Sequence, residues 1–189
     1  MARHPLHLHS QPNITQHRWV TDMDEKQIKN VLKKRDHLLA TAQTLGISVL
    51  VDEEGGLSAD VGHAPFIWKE GCFYIYSSHL SAHVRALIKG AEAQFFLIED
   101  EVTAQNIWAR VRMKFSAQVT ELSRDDNRFS GLCDDIGKRH GPVMEMIRNF
   151  TDFHLFEIRP EQGVLVTGFA QAFSVNGPSF ELSEHLSKS

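Results

Sequence analysis

Short β-rich runs separated by glycine turns constrain this chain more than any other feature. Ile47–Asp52 is followed by the turn Glu54-Gly55-Gly56, a run ending at Trp68, the turn Glu70-Gly71 and the run Cys72–Ser77. Strands joined by turns this short pair antiparallel, because a parallel pair needs a crossover of about a dozen residues or more. Further strands are read at Ala93–Glu99, along the alternating stretch Trp108–Glu121, and at Phe153–Ile158 and Val164–Phe173. The last two are joined by Pro160-Glu161-Gln162-Gly163, read as a hairpin turn, and Asn176-Gly177-Pro178 breaks the final strand. Helical spacing appears at Ile28, Val31, Leu32, Leu38 and Leu39 after Asp24, at Leu80, Val84, Leu87 and Ile88 before Gly90, and over Asp125–His140, which stops at Gly141 and restarts at Pro142. At least six sequentially paired strands with helices as connections predict a mainly β fold, a closed or nearly closed antiparallel barrel with peripheral helices. A doubly wound parallel sheet is disfavoured.

A length of 189 residues suits one domain with appendages. The longest apolar runs fall short of the roughly 18 residues that span a bilayer, so membrane spanning is not expected. The net charge of −4 gives no global attraction to nucleic acid. Cys72 and Cys133 stand in no zinc-ligand or disulfide-framework spacing, and the N-terminus lacks a signal-peptide core, so a cytoplasmic protein is expected. Histidine, at 11 residues, is in surplus. Four of these, His4, His7, His9 and His17, lie in a polar stretch read as a flexible leader over residues 1–22, ahead of a domain over 23–189.

Three constellations carry candidate chemistry. In Arg110-Val111-Arg112-Met113-Lys114-Phe115, strand alternation puts Arg110, Arg112 and Lys114 on one face, a site for phosphates or carboxylates, or equally a solvated face paired with Glu99 or Glu121. Ser78, His79, His83 and Arg85 span a strand end and a helix start, where an anionic group can be held, with capping or surface histidines as the plainer alternative. Asp152, His154 and His185 form an acid-plus-imidazole set in the C-terminal third, and a carboxylate bonded to one imidazole nitrogen makes the other a better iron ligand.

In their order along the chain, His63-Ala64-Pro65-Phe66, Tyr74-Ile75-Tyr76-Ser77-Ser78-His79, His83-Val84-Arg85-Ala86-Leu87, Phe96-Leu97-Ile98-Glu99-Asp100-Glu101, Ala109-Arg110-Val111-Arg112, Asp152-Phe153-His154-Leu155-Phe156 and Pro160-Glu161-Gln162-Gly163, with the Gly55-Gly56 turn before them, closely resemble the haem-utilisation branch (HugZ/HutZ type) of the split-barrel superfamily that includes pyridoxamine-phosphate oxidase. The resemblance runs over about residues 30–187. It implies a six-stranded antiparallel Greek-key split β-barrel, a homodimer, and a ligand site at the dimer interface. It also implies haem as cofactor in preference to FMN, because the Arg-Lys pair that grips the FMN phosphate in the oxidases is replaced here by Ser81-Ala82-His83.

On that resemblance, Arg110, Arg112 and Lys114, with Arg85, His83, His79 and Ser78, are expected around the cofactor, with Asp152 as the catalytic carboxylate acting on an axial imidazole of the other subunit. Relatives commonly continue into a Gly-His pair that supplies the iron ligand. This sequence stops at Ser189, which leaves His185 as the tail candidate and His63, His79, His83 or the N-terminal histidines as alternatives. The function so implied is haem binding in haem-iron utilisation, with oxidative haem degradation by O₂ and an external electron donor. An FMN-dependent oxidoreductase and a non-enzymatic haem carrier are the alternatives.

Overall fold

The computed structural model describes residues 17–19, 23–53 and 56–186. In chain order the elements are β1 (His17–Trp19), α1 (Glu25–Thr41), β2 (Thr44–Glu53), β3 (Gly56–Lys69), β4 (Cys72–Ser78), α2 (Ala82–Ile88), β5 (Ala93–Ile98), a 3-10 turn (Ile107–Ala109), β6 (Arg112–Leu122), α3 (Phe129–His140), α4 (Val143–Ile147), β7 (Phe153–Gly168), β8 (Gln171–Asn176) and β9 (Glu181–Leu186). Asp24 caps α1 by accepting the Gln27 amide at 2.9 Å.

Every strand pairing is antiparallel, and the order β7-β4-β3-β2-β5-β6 closes because β6 also pairs with β7. This six-strand ring is the barrel expected from the turn spacing. Beyond it, β8, β9 and β1 extend the sheet from β7. The main core contains the fully buried rings of Phe66, Phe73, Phe95, Phe115, Phe156, Phe173 and Phe180 among aliphatic side chains, with Phe73 stacked on Phe115 at 5.2 Å. A second apolar cluster lies outside the ring, where α3 and α4 cover Tyr74, Tyr76, Leu122 and Leu155. Strand β4 is therefore buried on both faces, which is why Cys72-Phe73-Tyr74-Ile75-Tyr76 shows no polar alternation.

Four expectations are corrected. Pro160-Glu161-Gln162-Gly163 is no hairpin: β7 runs unbroken through it, passing from β4 to β8 while β6 stays beside it, with a register shift at Phe115/Ala117. Gly163 permits this crossing, since a Cβ there would overlap the Lys114 carbonyl and come within 2.7 Å of the Phe115 Cβ. The stretch from Trp108 is first a 3-10 turn, with Asn106 capping it through the Trp108 amide, so the strand starts only at Arg112. The segment after Gly177 is not a tail but strand β9, paired with β8. Part of the expected leader, His17–Trp19, forms β1 against β9, while His4, His7 and His9 lie outside the described residues.

Candidate functional site

The junction between β4 and α2 gathers the densest set of polar side chains. Ser78 closes β4 opposite Phe153, and its hydroxyl donates to Asp152 Oδ2 at 2.5 Å. The His79 amide donates to the Asp152 carbonyl at 2.8 Å, tying the turn to the start of β7. His154 then bridges two elements, with Nδ1 2.7 Å from Glu121 Oε1 on β6 and Nε2 3.0 Å from His79 Nδ1. A carboxylate can only accept, so His154 donates from Nδ1. When neutral, it accepts at Nε2 from His79 Nδ1–H, which leaves the His79 lone pair on Nε2.

His83, on the first turn of α2, is held by Asp60: its backbone amide and its Nδ1 both donate to Asp60 Oδ2 at 2.9 Å. Its ring lies against Gly62, where any Cβ would overlap it. Arg85 donates to the carbonyls of His79 at 3.1 Å and Leu80 at 2.8 Å, so the guanidinium braces the same turn.

The three cations do not form one row. Arg110 lies before the strand and donates to the Glu99 carbonyl and to Glu101. Arg112 bonds back to the Arg110 carbonyl at 3.1 Å, and Lys114 stands exposed on the outer face opposite Phe96 and Val164. Lys114 and Glu121 are seven residues apart on β6, roughly 23 Å at the rise of an extended strand. Within one protomer, then, Lys114 and Arg112 stand far from Ser78, His79 and Asp152.

His185 occupies a third place. It pairs with Phe173 across β8–β9, packs against that ring in a tilted contact with centroids 4.9 Å apart, and donates from Nε2 to the Ala170 carbonyl at 3.0 Å. Ala170 follows the far end of β7 and Asp152 precedes its near end, so one protomer does not bring His185 to Asp152. Residue patterns gave no sign of Asp60 and Glu121 as histidine partners; each lies more than 20 residues from its imidazole in sequence, 23 and 33 respectively.

Two concavities flank these groups. One, of about 610 Å³, lies between α1, the loop over 99–111 and the β7–β8 turn, and contains none of the expected site residues. The other, of about 600 Å³, is a shallow depression on the outer sheet that includes Lys114, Ser174 and Glu184. Among the described residues no three His, Cys, Asp or Glu side chains converge to hold a metal ion, and no helix is long and apolar enough to cross a membrane.

A closed six-strand antiparallel ring with an appended sheet and a polar strand–helix junction defines a split-barrel protein of the pyridoxamine-phosphate-oxidase-like type. No family model matches the chain. It is 32% identical over 163 residues, 86% of each chain, to heme oxygenase HutZ of Vibrio cholerae serotype O1. The solved structure of HutZ from Vibrio cholerae, described as a heme storage protein, superposes with a TM-score of 0.59 at 28% identity, covering 76% of this chain and 94% of that one. Campylobacter jejuni ChuZ shares the fold, with a TM-score of 0.72 at 22% identity over 89% of this chain and 66% of that one. The chain belongs to the HutZ/ChuZ haem-utilisation branch of the split-barrel superfamily.

Proposed function

We propose that this chain binds haem in the service of haem-iron utilisation and opens it oxidatively. The observation that carries this reading is the cluster of Ser78, His79, Asp152, His154 and Glu121 at one end of β7, in a chain 32% identical to heme oxygenase HutZ. These residues suit a porphyrin better than a bare ion. A bare transition metal takes four or so ligands, and no such group is present among the described residues. An iron porphyrin needs an imidazole, cations for its carboxylates and apolar cover.

The site is complete only with a second copy of the chain. Arg112 and Lys114 lie too far along β6 from Asp152 to meet one ligand in a single protomer, so a homodimer is part of the reading. An apolar outer face suited to it is present: Leu50, Leu57, Val61 and Phe96 are exposed on one side of β2, β3 and β5, with Phe96 paired to Lys114. In that arrangement Arg112 and Lys114 neutralise propionates, and Asp152, whose carboxylate accepts from Ser78 and whose carbonyl accepts from the His79 amide, braces the turn beside the imidazole that reaches the iron. Bound haem would supply the iron that activates O₂ with electrons from an external donor. A cytoplasmic site of action completes the reading.

Ascorbate added in air to the hemin complex tests turnover. Decay of the Soret band together with release of chelatable iron is expected. A Soret band that stays intact would confine the chain to carriage or storage.

A further inference from the structure

Imidazoles in this fold differ in what holds them. His185 and His140 spend Nε2 on the carbonyls of Ala170 and Phe66. His83 is fixed by Asp60, but its side chain is only 11% exposed and lies flat against Gly62, too enclosed for a planar macrocycle. His79 is only partly buried, its Nδ1 is committed to His154, and Glu121 closes the chain behind, so Nε2 carries the lone pair.

A ligating histidine typically donates its other ring N–H to a carboxylate, which fixes the tautomer and strengthens the ring as a donor. Here a second imidazole relays that support from Glu121. The surroundings suit a porphyrin edge. Leu80, beside His79, is 80% exposed, and Phe150, two residues before Asp152, is 45% exposed. The Arg85 guanidinium sits at the same turn.

We infer that His79 is the imidazole that binds haem iron in this chain, with its ring held by the His154–Glu121 pair. The inference rests on the haem reading above and names the ligand within it. His154 and Glu121 act as positioning residues.

The test uses the full chain and hemin. Wild type and His185→Ala should both give a shifted Soret band and, when ferrous, an iron–histidine stretching band by resonance Raman. His79→Ala should lose that Raman band and bind hemin more weakly, and added imidazole should restore the wild-type spectrum, which a merely misfolded variant would not do. Glu121→Gln should keep the ligand, lower the iron–histidine frequency and cost about tenfold in affinity. In the apoprotein, ¹⁵N NMR should find His79 and His154 both protonated at Nδ1. A Raman band retained in His79→Ala, or lost in His185→Ala, overturns this inference alone, as does an apoprotein proton on His79 Nε2. A wild-type chain with no Soret shift overturns the haem reading and this inference with it.

Discussion

Cys72 and Cys133 show how burial governs reactivity residue by residue. Both are enclosed in the cluster beneath α3, and burial pushes both thiols above their ordinary range. The thiolate is the reactive form, so neither should react with Ellman's reagent at pH 8 in the native protein, and both should react once urea unfolds it; rapid native labelling would contradict this burial. The Tyr74 phenol is likewise held far above its usual range, by burial first and then by its bond to Glu157, which keeps it a donor throughout physiological pH. Gly62 is the same argument in reverse. Its missing side chain is the space that the His83 ring fills, a constraint invisible in sequence because the two residues meet only through the fold.

At the scale of elements, β7 is the strand on which the barrel turns. Gly163→Ala should destabilise by about 2–3 kcal/mol through overpacking against β6, a fall in Tm of roughly 4–12 °C for a domain of this size. An unchanged melting curve would mean that β7 and β6 do not approach as closely as described. A second element-level test concerns the join between β3 and α3. The Lys69 bond and then Lys138 hold the Asp135 carboxyl below its usual value. A depressed folded value lends stability that is present above the ordinary carboxyl pKa and lost as pH falls through the folded one. The Tm difference between wild type and Asp135→Asn should therefore be present at neutral pH and vanish on acidification.

Elements set by local signals were legible in the sequence: α1 following Asp24, β4 between Gly71 and the α2 turn, and the stop at Gly90. The unbroken β7 was not, because Pro160-Glu161-Gln162-Gly163 satisfies a hairpin locally while β6 and β8 decide its course. Nor were the Asp60 and Glu121 partners of the histidines, since nothing in strand periodicity tells which distant carboxylate will face a given ring. His79, Asp152 and His154 were found as residue types, and only the register of β4 with β7 assembled them, while His83 meets Asp60 of β3 instead.

At the scale of the molecule, the proposed haem site depends on assembly, because Lys114 is separated from the Asp152 end of β7. Val61→Glu on the exposed outer face should convert a dimer to a monomer by sedimentation, leave the melting curve cooperative, and weaken hemin binding. A monomeric wild type that binds hemin fully would show that one protomer suffices. The most direct test of the central claim is an absorption titration of the purified wild-type chain with hemin, run beside one with FMN. Haem binding predicts a saturable, red-shifted Soret band and no uptake of the flavin. Free-hemin absorption that stays unchanged while FMN binds tightly would contradict it.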